Sequence, residues 1–254
     1  MKELSPNHGL TGSEKDAIAL HGAFVVIAFI TVIISRPFES LGVSIWSLII
    51  GWYTSILVIA RQRNHRDWIL LLKMLVPLCI FFSFPDGYLA SGLGTILFPD
   101  MGVGKIFQVS SFMPFMWAIP LFMSTMVGSG METRGAGTYK AAIGAGFAGF
   151  VIFSGSEVIL TRIPIWYPVE GTCTHIGTTA IYVLFPEFCL SLMTFLAFHH
   201  LKEGPYLPQV FAAFMVMCMY LGNLIVCFMI VDGDKLPFLN ATIAQSTATS
   251  SRTC

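Results

Sequence analysis

The sequence predicts an all-α polytopic membrane protein, a bundle of about seven transmembrane helices, and three observations carry that prediction. Charged residues make up 11% of the 254, against roughly 25% in an ordinary soluble domain. Mean hydropathy is +0.76. Seven apolar runs approach the length of about 20 residues needed to cross about 30 Å of hydrocarbon.

The runs are Ala17 to Ile34, Leu41 to Ala60, Trp68 to Phe84, Ser111 to Val127, Ala141 to Leu160, His175 to Ala197 and Val210 to Val231. The third is short, and the fourth holds Pro114 and Pro120, which a kink can accommodate if neighbouring helices satisfy the freed carbonyls. The expected organisation is a polar N-terminal segment over 1–16, a seven-helix membrane domain over 17–231 with a long outer loop at 85–109, and a polar tail over 232–254. The first segment lacks a short apolar stretch followed by a small-residue cleavage site, so the first run is expected to stay as a span.

Sidedness follows from basic residues in the links. Lys2, Lys15, Arg61, Arg63, Arg66, Arg134, Lys140 and Lys202 fall on one side, eight in all, and Arg36, Lys105, Arg162, Lys235 and Arg252 on the other, five in all. The positive-inside tendency then puts the N-terminus in the cytoplasm and the C-terminus on the luminal or external side. A glycosylation acceptor triplet at Asn240 falls on that outer side. Lys and Arg together equal Asp and Glu at 14 each, so no basic field invites nucleic acid. Cys79, Cys189, Cys218 and Cys227 lie within apolar runs and read as small buried hydrophobes; Cys173 and Cys254 lie near or beyond segment ends.

The outer loop repeats Phe-Pro-Asp, at 84–86 and 98–100. Each copy reads either as a helix exit, with the carboxylate capping the next turn, or as a functional acid. The loop is too long for a plain link and too apolar for a solvated one, so it is either a lid folded back over the bundle or a short interfacial helix.

Acids inside the runs are more informative. Glu187 lies near the middle of the sixth run after Pro186, and Glu157 near the outer end of the fifth. A carboxylate at such depth costs roughly 3 kcal/mol, so each should face the bundle interior and find a partner or a proton. Asn223, with Tyr220 on the same helical face, lies at similar depth in the seventh run and is expected to pair with Glu187 or simply to bond across a helix interface. Glu157, Asp86, Glu39 and Glu170 approach one face, where at least one should hold a proton at neutral pH because several carboxylates in one site repel. Such a proton donor beside Trp117, Trp166 and Tyr167 suits a passing carbocation, which aromatic faces stabilise; belt residues at the membrane interface are the competing reading of those rings. No metal-ligand pattern and no cofactor motif is present, and no lysine in the seventh run could carry a retinal.

Two segments resemble a known family in pattern. "ASGLGTILFPDMGVGKIFQVSSFMPFMWAIPLFM" resembles the turn-rich approach to a helix with proline and tryptophan in the integral-membrane carotenoid hydratases, and "GFAGFVIFSGSEVILTRIPIWYPVEG" resembles their following helix and aromatic loop. In that comparison Glu157 takes the place of the helix acid and Trp166 of the loop aromatic, while Ser156-Glu157-Val158 replaces a tryptophan followed by aspartate. The layout also resembles the small integral-membrane terpene cyclases, which need no metal. Both resemblances imply metal-independent, acid-initiated hydration or cyclisation of a long apolar isoprenoid. For such a reaction the residues themselves offer Glu157, Asp86 and Glu187 as the catalytic acids, with Glu157 or Asp86 supplying the proton from the outer end and Glu187 with Asn223 orienting polar groups or water at the floor, and Trp117, Trp166, Tyr167 and Tyr220 against the substrate. The competing expectations are a transporter with an intramembrane carboxylate path, and a pigment-binding or structural membrane subunit. Substrate or membrane lipids are the expected partners, and oligomerisation is left open.

Overall fold

A computed structural model describes residues 9–34, 41–160, 163, 165–177 and 179–235. Glu39, Arg162, Asn240 and Cys254 lie outside the described residues, as does most of the 232–254 tail. Seven helical rods form the bundle: α1 Gly12–Ile34, α2 Leu41–Gln62, α3 Arg66–Phe81 continued by α4 Ser83–Gly87, α5 Met113–Met116 continued by α6 Ala118–Thr133, α7 Thr138–Leu160, α8 Ile181–Leu201 and α9 Tyr206–Asp232. Five are long and apolar enough to cross a membrane by length and composition: Leu41–Gln62, Arg66–Leu93, Thr138–Ile159, Ile181–Leu201 and Tyr206–Lys235.

At one end, charged side chains pin the helices together. Thr11 and Glu14 start α1 with a capping box: the Thr11 hydroxyl accepts the Glu14 backbone N–H at 3.2 Å, and Glu14 Oε2 accepts the Thr11 N–H at 2.8 Å. The same carboxylate receives the Arg134 guanidinium at 2.7 Å from the end of α6. Asp16 meets His65, Glu132 meets His199, and Glu203 meets Arg66. Trp68 Nε1 donates to Ser13 Oγ at 2.8 Å. These contacts gather at one end the links that carry most of the basic residues.

At the other end the links fold onto one another. Strand β1 (Ile96–Leu97) pairs antiparallel with β4 (Tyr167–Pro168), placing Ile96 opposite Pro168 and Leu97 opposite Tyr167. Strands β2 (Lys105–Ile106) and β3 (Val109–Ser110) form a hairpin, and so do β5 (His175–Ile176) and β6 (Thr179–Ala180). Phe98, Met101, Val109 and Phe112 bury against Leu41, Ile45 and Ile49 of α2 and against Ile165 and Trp166. Beyond Leu93 the long link is thus a folded cap built of short strands. Asp232, fully buried at the end of α9, accepts from the Thr174 backbone N–H at 2.7 Å and its hydroxyl at 2.5 Å, and Lys235 lies 2.9 Å away.

Several helix boundaries differ from the sequence expectation, α1 beginning at Gly12 inside the expected polar segment and α9 at Tyr206, and three rods differ for a local reason. The third helix does not end at Phe84, and the outer link does not begin at 85. A break at Phe82 starts a new helical segment, so Pro85 falls in its first turn, where its missing N–H costs nothing. The rod then continues through a π-helical turn, Tyr88–Leu93, and stops at Gly94, whose φ of 64° is the left-handed conformation glycine tolerates. The fourth rod breaks the same way at Trp117, putting Pro114 and Pro120 into opening turns, and it runs on to Thr133. The sixth helix begins at Ile181 and not at His175, because the turn at Gly177 commits 175–180 to a hairpin.

Candidate functional site

These boundary shifts bring the acids level. With α8 starting at Ile181, Glu187 lies six residues into the helix, about 9 Å from its start at 1.5 Å per residue, and not at mid-span. With the third rod extended to Leu93, Asp86 lies inside the helical bundle and not at its exit. Both therefore approach the depth of Glu157, three residues from the end of α7. All three line one cavity of about 1040 Å³, together with Trp117, Trp166 and Tyr220. Glu157 interacts electrostatically with both Asp86 and Glu187.

Each indole is aimed at a carboxylate. Trp117 Nε1 donates to Asp86 Oδ2 at 3.0 Å, and Trp166 Nε1 to Glu157 Oε2 at 3.4 Å. The kink at Trp117 makes the first of these contacts: the ring stacks on Phe82 at 4.7 Å and meets Tyr220 edge-on at 5.5 Å, so indole and carboxyl are held by aromatic packing on both sides. Asp86 is 3% exposed and caps no helix, unlike Asp100, whose Oδ1 accepts the Gly102 N–H at 3.1 Å in an exposed turn. The two copies of Phe-Pro-Asp thus divide: the second is a turn device, and the first sits in the cavity.

Glu187 is also 3% exposed, and its Oε2 has no hydrogen-bond partner among the described residues. Asn223 does not serve it. The Asn223 amide nitrogen goes to Met219 Sδ at 2.8 Å on its own helix, and Asn223 is absent from the cavity wall. Tyr167 also lies outside: its β4 pairing turns it outward, 41% exposed. Tyr220 does line the cavity, 1% exposed, near all three acids. Glu170 is exposed in its turn.

His21, which belongs to no metal-ligand pattern in the sequence, also lines the cavity. Its Nδ1 lies 2.8 Å from Ala17 O, its Nε2 accepts the Trp52 indole N–H at 3.1 Å, and its ring stacks on Phe122 at 5.6 Å. Donor on one nitrogen and acceptor on the other, the imidazole is spent on fixing α1 to α2 and α6. Among the described residues no group of three or more His, Cys, Asp or Glu could hold a metal ion.

Apart from Ser156, whose hydroxyl donates to Ile152 O, the rest of the wall is apolar, with Ile45, Ile49, Phe98, Met113, Met116 and Phe153 among its members. It reaches the molecular surface on the flank shared by α1 and α7, where Val25, Val26, Phe29, Val158 and Ile159 line the cavity and are each more than half exposed.

Residues 83–231 match the model of the family described as domain of unknown function DUF6989, and the chain belongs to that family. The matched segment contains Asp86, Trp117, Glu157, Trp166, Glu187 and Tyr220, while α1 and α2, which complete the wall, precede it. No curated protein and no solved structure matches the chain.

Proposed function

We propose that the protein is a multi-pass membrane enzyme of isoprenoid metabolism that carries out metal-independent, acid-initiated hydration or cyclisation of a long apolar substrate. The observation that carries this reading is the meeting of three carboxyls and two indoles in one apolar cavity that opens on an apolar flank. With all seven rods in the membrane, that flank faces lipid, and a substrate dissolved in the bilayer reaches the acids without crossing water. An ion or solute path would instead open at the two polar ends.

Hydrogen-bond chemistry divides the acids. An indole N–H is donor only, so Asp86 Oδ2 and Glu157 Oε2 act as acceptors toward it. These bonds favour the ionised forms of Asp86 and Glu157, whereas Glu187 Oε2, in the same cavity, is buried without a hydrogen-bond partner among the described residues, and we assign Glu187 as the donor. The proton passes to an alkene carbon or epoxide oxygen, and the resulting cation lies against the faces of Trp117, Trp166 and Tyr220. Closure by a second double bond followed by loss of a proton to Asp86 or Glu157 gives cyclisation. Capture by water, whose extra proton goes to the same carboxylates, gives hydration.

The test uses purified protein with linear polyprenyl epoxides and acyclic carotenoids, read by mass spectrometry. Products heavier by one water indicate hydration, and isomers of unchanged mass indicate cyclisation. Glu187→Gln, which keeps shape and loses acidity, should lower turnover by about a hundredfold or more with substrate still bound. Asp86→Asn and Glu157→Gln remove the proton acceptors and should slow the reaction as well. No product from folded wild-type protein, or full activity in all three variants, overturns the reading.

The proposed orientation puts Arg61 to Arg66 in the cytoplasm and the cap on the luminal or external side. Single cysteines placed at Asn64 and Ser91 should label from opposite faces of sealed vesicles. Labelling from the same face would remove a span and overturn the map.

A further inference from the structure

Of the buried side-chain oxygens without a hydrogen-bond partner among the described residues, three lie on α8, those of Glu187, Ser191 and Thr194, and two on the helices packed against it, Thr125 on α6 and Ser154 on α7. Thr125, Ser191 and Thr194 are fully buried. A buried hydroxyl without a partner costs about 1–3 kcal/mol, so such groups are normally served by internal water. Three of them in contiguous turns, beginning at a carboxyl that is itself unpartnered, form a file and not a scatter.

The geometry of the seam supports this. Residues 187, 191 and 194 are spaced by four and three, so they share one face of α8. Gly149 of α7 approaches that face so closely that any side chain there would collide with Ser191 Oγ, and the same position faces Ser124 of α6. Gly128, one turn further along α6, meets the Phe195 ring. Thus 124–128 of α6 runs level with 191–195 of α8, and Thr125 and Thr194 lie in the same layers of the seam. One turn beyond stands His199, whose Nδ1 lies 2.9 Å from Glu132 Oε2, with the Thr138 hydroxyl donating to Glu132 Oε1 at 2.9 Å. From Glu187 to His199 is about 18 Å along the helix.

We propose that Glu187, Ser191, Thr194 and Thr125 outline a file of hydroxyls and internal waters that carries protons between the cavity and the Glu132–His199 pair at the opposite end of the bundle. The inference rests on the acid-initiated reading for its purpose. The proton released when the cation is quenched goes to Asp86 or Glu157 and returns from there to Glu187, whose protonation the file keeps in equilibrium with solvent at the polar end, so that no proton is gained or lost over a turnover. The groups that face Glu187 are Glu157 from α7 and Tyr220 from α9, with Asp86 from α4 in the same cavity. None is a solvent-exposed base, so the seam is the polar route away from the cap.

The test does not depend on turnover. The carboxyl stretch of Glu187, assigned by its loss in Glu187→Gln, is followed by infrared spectroscopy after transfer of the whole protein from H₂O to D₂O. Thr194→Val, of equal size without the hydroxyl, should slow deuterium exchange of that band by about tenfold, and Thr194→Ser should restore the wild-type rate. Thr125→Val gives the same reading if Thr194→Val does not fold. Equal rates in wild type and the valine variants, or no protonated Glu187 band at all, overturns the file. Loss of catalysis with the exchange effect intact would fail the enzyme reading and leave the file standing; turnover with no exchange effect would do the reverse.

Discussion

At the polar end Glu14 faces Arg134, Glu203 faces Arg66 and Glu132 faces His199, whereas in the cavity Asp86 and Glu157 meet indole N–H groups and Glu187 Oε2 meets none of the described residues. The difference lies in what each arrangement costs. An acid paired with a base at the edge of a bundle costs little and holds two helices together. Glu187, buried in an apolar cavity and with no hydrogen-bond partner at Oε2 among the described residues, forfeits hydration without recovering it, so the bundle would be steadier with an apolar residue there. The polar end is built for cohesion, and the cavity carries a cost that chemistry explains.

Substitution should separate the two. The largest expected effect is that of Glu187→Gln on turnover, and the same change should leave the melting temperature nearly unchanged, because a protonated carboxyl and an amide of the same shape cost about the same to bury. A sharper version uses Trp117→Phe. That variant keeps the ring against Phe82 and Tyr220 but removes the N–H on Asp86. Turnover should fall by roughly tenfold, and stability by about 1 kcal/mol for one lost hydrogen bond. Equal turnover in Trp117→Phe and wild type, measured with the same substrate pool, would make the indole a packing residue and reduce the cavity to the polar end's kind of arrangement.

How much of this the sequence carries depends on what each signal measures. A charge inside an apolar run is visible without a structure, because its cost is set by the run, and Glu187 and Glu157 stand out on that ground alone. Facing is another matter. Asn223 looks as well placed as Tyr220, but α9 is apolar nearly all round, so its pattern does not tell which face turns inward. The Asp86–Trp117 contact was equally hidden. It depends on two helix breaks, at Phe82 and Trp117, whose prolines read as ends or kinks until the segment boundaries are known. His21 carries no such signal, because its role of joining Ala17 to Trp52 has no sequence spacing to find.

The smallest effect belongs to the polar end and should depend on pH. Burial pushes the Glu14 carboxyl up, but the Thr11 backbone N–H, the Arg134 guanidinium and the Thr11 hydroxyl together outweigh it and hold the group below the usual glutamate range. A carboxyl lower in the folded than the unfolded state adds stability above the unfolded value, about 4.3, and loses it as pH falls through the folded value. Glu14→Gln keeps the capping box, which glutamine also forms, and removes the charge that faces Arg134. It should therefore destabilise the protein by about 1 kcal/mol at neutral pH, a modest figure because Arg134 is partly open to solvent. The gap from wild type, read as thermal unfolding in detergent across pH, should close below about pH 4. Glu203→Gln at the exposed Arg66 pair supplies the baseline, with an expected cost of less than about 0.5 kcal/mol at any pH. A Glu14→Gln gap that persists unchanged in acid would mean that the carboxylate's charge does not join α1 to α6, and that contact of this end would then rest on neutral groups such as Trp68 and Ser13.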